Sequence, residues 1–164
     1  MFLGCMTMNK EVIVKINRLM LESMTDDEIR TLIMNASDLE LKNAYSEMLD
    51  SCMNDVVNRV WYSPWKVVLG SSKEQIGSIG FKGTPINRSV KIGYNIDSPY
   101  EGNGYATEDG KGLIEWAFAQ QDVLFIEAET AADNAASMRI LEKLEFKPNG
   151  TREEGLRFIK EKIK

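Results

Sequence analysis

The middle of the chain changes from one hydrophobic pattern to another at a pair of glycines. From Ser89 to Asp97, apolar residues alternate with polar or small ones at the period of two that is typical of a β-strand. From Leu113 to Phe118, apolar residues recur at the spacing of one helical face, which predicts a helix. Gly102 and Gly104 lie between the two, so the sequence predicts a strand-to-helix corner there.

This glycine corner, residues 101–107, has the features of a phosphate-binding turn. Gly102 and Gly104 can take positive φ angles or let a ligand approach the backbone closely. The helix that follows offers unpaired N–H groups and the positive end of its dipole. The corner lacks the third glycine of the dinucleotide-binding fingerprint, and no Gly-Lys-Ser or Gly-Lys-Thr occurs in the chain. The glycine pair alone is also compatible with an ordinary tight turn.

Two helix starts precede the corner. Thr25-x-x-Glu28 and Ser37-x-x-Glu40 both have the pattern of a capping box, in which each side chain binds the backbone of the other residue. Apolar residues follow each pattern at helical spacing, so two short amphipathic helices are predicted. Their methionine and leucine stripes are expected to face the core.

The remaining elements alternate along the chain. Beyond the corner helix, the pattern predicts a strand at Val123–Glu129, a helix from Asn134, and a turn at Pro148–Gly150 before a last strand. This order predicts an α+β fold with a mixed antiparallel and βαβ sheet, in a single domain spanning residues 1–164. Three earlier strands are predicted to form an antiparallel meander, with turns at residues 71–73 and 83–85: Trp65–Leu69, Gln75–Phe81 and Ser89–Asp97.

Length and composition narrow the class of protein. The 164 residues are 43% hydrophobic and 27% charged, as in an ordinary globular domain, and no apolar run approaches the ~20 residues that cross a bilayer. Residues 1–10 are expected to be a flexible lead-in, because the apolar start lacks the cationic residues and cleavage pattern of a signal peptide. A cytoplasmic protein without membrane contact is therefore predicted. Cys5 and Cys52 have no disulfide or metal-ligand spacing, so no metal site is expected.

Charge and missing residue types limit the chemistry. The chain has no histidine, which excludes Ser-His-Asp and Cys-His mechanisms and the usual zinc sites. Acyl transfer from a thioester to an amine remains compatible with the absence of histidine, because the amine substrate itself is the nucleophile. The net charge of −5 argues against nucleic acid as a partner. It fits a cationic substrate, or equally a solvated acidic surface.

A second segment makes the corner more specific. Asn134 and Ser137 begin this segment, and the run Leu141–Phe146 ends it. Together with Glu101–Ala106, these residues resemble the two acetyl-CoA motifs of the GNAT N-acetyltransferase superfamily, in particular of its RimJ/RimL-like branch. The first family motif reads Gln/Arg-x-x-Gly-x-Gly/Ala, and the second reads Asn-x-x-Ser followed by Leu-Glu-Lys-Leu-Gly-Phe. Weaker matches extend the resemblance over nearly the whole chain: Arg18–Leu21, Ile76–Phe81 and Ile92–Ile96.

The resemblance implies a GNAT fold, in which a mostly antiparallel, twisted sheet with helices on both faces splays apart at the acetyl-CoA cleft. The strand ending at Asn95, Ile96 and Asp97 would pair with the pantetheine arm. Asn134 would contact the coenzyme A arm near the second motif. The backbone amides of the corner would hold the pyrophosphate: Gly102, Asn103, Gly104, Tyr105, Ala106 and Thr107.

The resemblance also points to candidate proton donors and acceptors. Many family members use a tyrosine four residues after the position of Ser137 as the general acid, but this chain has Leu141 there. Ser137 is therefore the candidate donor to the coenzyme A sulfur, unless its hydroxyl only bonds the preceding loop. Glu129 is the candidate base, because a desolvated cleft is expected to raise its pKa and that of Glu127 on the same strand face. The pair could instead face solvent or bind a cationic substrate, and Asp97 is a further candidate by position.

These features predict an N-acetyltransferase that moves acetyl from acetyl-CoA to a primary amine of a small molecule or a protein N-terminus. Besides Leu141, Glu101 departs from the family's Gln or Arg, and Glu145 replaces a glycine, so that turn must differ or carry strain. These departures leave a non-catalytic acyl-CoA-binding or regulatory module as the alternative. The sequence does not identify the acceptor, and a monomer and a homodimer are both open.

Overall fold

A computed structural model describes residues 11–96, 100–152 and 155–163, so the predicted lead-in at residues 1–10 and Asp97 lie outside the described residues. The described strands form one eight-stranded sheet in the order β1-β2-β3-β4-β5-β6-β8-β7, antiparallel except for the β5/β6 pair. The strands are β1 Ile13–Lys15, β2 Leu19–Ser23, β3 Pro64–Leu69, β4 Gln75–Phe81, β5 Ser89–Ile96, β6 Phe125–Thr130, β7 Lys147–Arg152 and β8 Gly155–Glu161.

Helices cover both faces of this sheet, which confirms the predicted fold class. One core, on the α3 face, includes an aromatic group whose ring centroids lie 4.7 to 6.2 Å apart. A second, smaller core lies beneath α1 and α2 around Ile29 and Cys52. The helices are α1 Asp26–Asn35, α2 Leu39–Asn54, a 3-10 helix Val56–Trp61, α3 Tyr105–Phe118 and α4 Ala135–Lys143.

The helix starts follow the sequence signals closely, with one shift. Thr25 caps α1, and Glu28 completes the predicted capping box. The second predicted capping box, Ser37 with Glu40, is wrong, because Asp38 is the N-cap and accepts a hydrogen bond from the amide of Leu41 at 2.8 Å. Aspartate is about as favourable as serine at the N-cap of a helix, so Asp38 can take this position in place of Ser37. The resulting helix has 16 residues and is longer than predicted.

The turns agree less well with the sequence. The meander β3-β4-β5 is confirmed, but its second tight turn lies at Asn87 and Arg88, whose φ angles are 52° and 64°, rather than at residues 83–85. The predicted turn at Pro148–Gly150 is wrong, since these residues lie within β7. The pairing of β7 with β8 shifts register between Pro148 and Thr151. Such an irregularity accommodates proline and a glycine with a φ of 87° inside a strand.

The two central strands separate along their length. The parallel pairing of β5 with β6 runs only from Ser89↔Phe125 to Lys91↔Glu127, although both strands continue beyond it. On its other side, β5 stays paired with β4 as far as Ile96. The β6-facing edge of residues 92–96 is therefore without a strand partner among the described residues, and the strands splay as a GNAT fold requires.

Candidate active site

A cleft of about 720 Å³ opens where β5 and β6 separate. Its walls come from both strands, from the glycine corner and the start of α3, and from α4. The cleft thus brings together segments that are far apart in the sequence. Most of the predicted site residues line it: Gly102, Gly104, Tyr105, Ala106, Thr107, Glu129, Asn134 and Ser137.

The glycine corner has the backbone conformation that the sequence predicted. Gly102 and Gly104 both have a φ of 81°, which L side chains rarely adopt. Leaving aside its chain neighbours, a Cβ on Gly102 would have no atom of the described residues within 4 Å, and one on Gly104 would meet among them only Arg18 Nη2, at 3.6 Å. The side of the corner that a larger residue would fill is therefore open to a ligand.

The amides of the corner are available for an anion. Gly104 is the N-cap of α3 and provides no side chain to cap it. Glu108 is the first residue whose amide donates along the helix, to Gly104 O at 3.1 Å. Within the described part of the chain, the amides of residues 102–107 donate to no protein acceptor. Together with the helix dipole, such a row of N–H groups suits a phosphate or diphosphate.

Arg18, in the β1/β2 turn, holds the corner in place. Its Nη2 donates to Asn103 O at 3.0 Å, and its Nε and backbone N donate to the carboxylate of Glu108, both at 2.8 Å. The guanidinium also lies 4.4 Å from the centroid of the Tyr105 ring, a cation–π contact. The sequence does not indicate this role of Arg18, because 85 to 90 residues separate it from these partners.

Asp109 is a buried acid in the second turn of α3. It is fully buried, and neither carboxylate oxygen has a hydrogen-bond partner within the described residues. Burial raises the pKa of Asp109 well above its ordinary value, and the neighbouring charge of Glu108 adds to this, while the Gly110 amide lowers it only partly. Its helical spacing to Leu113 could have indicated that Asp109 lies on the apolar face.

The start of α4 is capped, unlike that of α3. Asn134 Oδ1 accepts a hydrogen bond from the amide of Ser137 at 3.0 Å. The Ser137 hydroxyl lies 2.9 Å from the Tyr94 hydroxyl of β5, which also donates to Ser137 O at 3.3 Å. The Ser137 hydroxyl therefore bonds across the cleft rather than to the preceding loop. Burial raises the pKa of Tyr94, so its phenol is protonated at neutral pH.

The two glutamates of β6 have different surroundings. Glu127 accepts hydrogen bonds from Ser89 Oγ and Arg157 Nη2, both at 2.8 Å. Although burial tends to raise the pKa of Glu127, these bonds and the nearby positive charges hold it below its ordinary value, contrary to the expected rise. Glu129 lines the cleft and lies 3.7 Å from Lys91 Nζ. Of the two carboxylates, Glu129 is the one that faces the cleft.

The departures from the family pattern have structural consequences. Glu101 is exposed, so its charge is screened by solvent. Glu145 has a φ of 66°, so this residue takes the strained conformation in place of the family's glycine. Leu141 is fully buried in the core.

Of the other predicted cofactor residues, the structure describes Asn95, Ile96 and Asn103. Asn95 and Ile96 lie at the end of β5, on the stretch without a β6 partner. The Asn103 side chain donates to Tyr100 O and Glu101 O and so stabilises the corner.

Two kinds of feature are absent from the described ranges, residues 11–96, 100–152 and 155–163. No three His, Cys, Asp or Glu side chains there are grouped to hold a metal ion. No helix in these ranges is long and apolar enough to span a membrane.

Known proteins resemble this chain in sequence and in structure. The N-acetyltransferase YjdG of Bacillus subtilis, named as uncharacterized, is 34% identical over 86 residues, or 52% of this chain and 51% of YjdG, so the chain matches about half the length of that relative. A second B. subtilis N-acetyltransferase named as uncharacterized, YoaA, is 27% identical over 84% of each chain.

A solved structure shares the fold. RimL, described as a ribosomal L7/L12 alpha-N-protein acetyltransferase in complex with coenzyme A, superposes with a TM-score of 0.70 at 17% identity, over 92% of this chain and 98% of RimL. In sequence, residues 16–147 match the family described as "Acetyltransferase (GNAT) domain". Because this match spans well over half of the sequence, the chain belongs to the GNAT acetyltransferases, a family of acyltransferases.

Proposed function

We propose that this chain is an N-acetyltransferase that transfers acetyl from acetyl-CoA to a primary amine by direct attack in a ternary complex. The observation that carries the proposal is the row of open amides at residues 102–107, beside the point where β5 and β6 separate. Family membership supports it, as does the structural neighbour RimL, which is described in complex with coenzyme A.

In this proposal, the glycine corner holds the diphosphate of coenzyme A. Acetyl-CoA supplies an activated acetyl group as a thioester. The open edge of β5 at Asn95 and Ile96 would bind the pantetheine amides, as a strand binds a neighbouring strand. Asp97 continues this predicted segment outside the described residues. Asn134 would use the amide Nδ2 of its side chain toward the coenzyme A arm, since its Oδ1 already caps α4.

The side chains of the cleft would then manage the protons. Glu129, directly or through a water molecule, would take a proton from the substrate ammonium and release a neutral amine. As the amine nitrogen bonds to the acetyl carbon, backbone N–H groups on the open edge of β5 would stabilise the negative charge that develops on the thioester oxygen. As the carbon–sulfur bond breaks, Ser137 would donate its hydroxyl proton to the departing thiolate and regain one from water. The substrate nitrogen loses two protons in all. The first goes to Glu129, which later releases it to solvent. The second leaves as the carbon–nitrogen bond forms and passes through water to the Ser137 oxygen, which has given its own proton to the thiolate, so the step balances.

The class of acceptor remains broad in this proposal. A net charge of −5 and the carboxylate of Glu129 at the cleft favour a cationic amine, either a small molecule or a protein N-terminus. We place the protein in the cytoplasm, acting as a monomer or homodimer without nucleic-acid or membrane partners. The whole chain, residues 1–164, forms one domain in this proposal.

Incubation of the purified protein with acetyl-CoA and separate classes of amine tests this function. The panel should contain polyamines, amino acids, aminoglycosides and peptides with free N-termini, with free thiol release and product mass as readouts. We expect amine-dependent thiol release and a product heavier by one acetyl group with one class. Tight acetyl-CoA binding by calorimetry without turnover on any amine would instead support a binding or regulatory module.

A further inference from the structure

Tyr94 and Ser137 form a hydroxyl pair across the cleft. The proposed function gives a role to Ser137 but none to Tyr94. Tyr94 lies on β5 and Ser137 in the first turn of α4, and both line the cleft. Their oxygens are 2.9 Å apart, within the normal range for an O–H···O bond. The question is which of the two hydroxyls donates.

The number of protons on the two hydroxyls indicates which of them donates. Each hydroxyl has one proton, and the Tyr94 proton can go either to Ser137 O at 3.3 Å or to Ser137 Oγ at 2.9 Å. The shorter contact has the better length for a hydroxyl donor. When Tyr94 donates to Oγ, the Ser137 proton is free to point into the cleft. Burial keeps the Tyr94 phenol protonated, because it raises the pKa of that group.

The neighbouring positions support this direction. The Ser137 amide is occupied by Asn134 Oδ1, which fixes the backbone of the first turn of α4. Leu141 is fully buried one turn later and provides no hydroxyl to the cleft. Tyr94 thus reaches the serine from the opposite wall, from a different element than the tyrosine position of the family motif.

We infer that Tyr94 is a positioning residue, whose hydroxyl donates to Ser137 Oγ and so directs the Ser137 proton toward the sulfur of acetyl-CoA. The inference rests on the proposed function. Tyr94 itself does not touch the reacting atoms and transfers no proton. It stabilises the Ser137 oxygen as negative charge grows on it during donation to the thiolate. The effect of Tyr94 should therefore exist only while Ser137 has its hydroxyl.

A double-variant cycle tests this dependence. We expect Ser137→Ala to lower kcat about 100-fold, the usual size for a lost general acid. Tyr94→Phe, which removes one hydrogen bond, should lower kcat about fivefold, with the KM for acetyl-CoA changed by less than about twofold. The double variant should be no slower than Ser137→Ala alone, because Tyr94 has nothing left to position. In Ser137→Thr, which keeps a hydroxyl, Tyr94→Phe should again lower kcat.

Two matched changes on α2 serve as controls, since α2 contributes no residue to the described cleft. Tyr45→Phe and Ser46→Ala remove the same atoms there and should leave kcat unchanged.

Three results would overturn the inference. They are an unchanged kcat in Tyr94→Phe, an equal loss in kcat and in acetyl-CoA affinity, or single effects that multiply in the double variant. Absence of amine-dependent turnover in the unaltered protein would overturn the proposed function, and the inference with it. Normal turnover in that protein with an unaffected Tyr94→Phe would overturn the inference alone.

Discussion

Helices α3 and α4 both begin at the cleft, but they treat their first N–H groups differently. At the start of α3, Gly104 provides no capping side chain, and the amides of residues 102–107 have no protein acceptor among the described residues. At the start of α4, Asn134 Oδ1 accepts from the Ser137 amide. One helix start is therefore open to an anion, and the other is closed by its own side chain.

The starts of α3 and α4 are therefore suited to different roles. An uncapped helix start costs stability unless a ligand or water satisfies its amides, so a bound anion would stabilise the start of α3. A capped start is rigid without any ligand. In α4, that rigidity fixes Ser137 opposite Tyr94, where a hydroxyl must be aimed to within a few tenths of an ångström.

Two acids in the first two turns of α3 would weaken an anion site, and each is neutralised in its own way. Glu108, in the first turn of α3, is paired with Arg18 at 2.8 Å. Asp109, in the second turn, is buried, and its raised pKa favours the uncharged form. Helix α4 has no acidic residue in its first turn, so it needs neither an ion pair nor burial to neutralise one. These two carboxyl groups therefore add little negative charge to the corner, and Glu101, the third acid there, is exposed to solvent.

The largest effect is expected where the open start is blocked. Gly104→Val should raise the acetyl-CoA dissociation constant about tenfold or more, close to 1.4 kcal/mol. Valine would strain a backbone with a φ of 81° and would place a branched side chain on the open side of the corner. Isothermal titration calorimetry with acetyl-CoA measures the change.

Gly150 offers a matched control for this substitution. It has a φ of 87°, with no protein atom within 4 Å of an added Cβ, but it lies in β7 away from the cleft. Gly150→Val should lower the unfolding temperature while leaving acetyl-CoA affinity unchanged. Equal loss of affinity in both variants would mean that general strain, not the corner, explains the result.

Loosening the corner should have a smaller effect than blocking it. Arg18→Ala removes the bond to Asn103 O and leaves Glu108 unpaired beside the amides. We expect the acetyl-CoA dissociation constant to rise about fivefold, near 1 kcal/mol, for the loss of a charge-assisted contact. Arg30→Ala, which breaks an exposed pair with Asp27 on α1, is the control and should not change affinity. An unchanged affinity in Arg18→Ala would remove Arg18 from the description of the site.

Changing the cap of α4 separates its two possible roles. Asn134→Asp keeps the capping oxygen but loses the amide donor, whereas Asn134→Ala loses both. The aspartate variant should keep its unfolding free energy but bind acetyl-CoA about threefold more weakly, whereas the alanine variant should also lose about 1 kcal/mol of stability. Chemical denaturation and calorimetry measure the two effects. Full affinity in both variants would leave Asn134 with a capping role only.

The sequence predicted what depends on local backbone chemistry. The glycine corner, the capping box at Thr25 and the meander strands follow from residues close together in the chain, and the structure has them. Periodicity also placed Glu127 and Glu129 on one strand face. It could not predict that Ser89 and Arg157 hold Glu127, because those partners come from β5 and β8.

What the sequence missed depends on contacts between distant segments. Arg18 meets the corner, and Tyr94 meets Ser137 across 43 residues, only because the sheet brings these elements together. The Pro148–Gly150 turn failed for a related reason, since pairing with β8 overrides the local turn preference of these residues. Local rules therefore found the glycine corner but not the contacts that hold it in place or that bring Tyr94 to Ser137.

The last predicted effect concerns Asp109 and depends on pH. Its pKa is higher in the folded protein than in the unfolded chain, so the stability linked to its protonated form is complete below the unfolded pKa and is lost as pH rises through the folded one. Asp109→Ala should remove this loss, so its unfolding free energy should decline less steeply than that of the unaltered protein as pH rises above the ordinary pKa of an aspartate. Asp122→Ala, at an exposed position, should keep the original slope. Parallel pH profiles for the unaltered protein and Asp109→Ala would contradict the neutralisation of Asp109 by burial, and the Arg18–Glu108 pair would then be the one neutralised acid in the first two turns of α3.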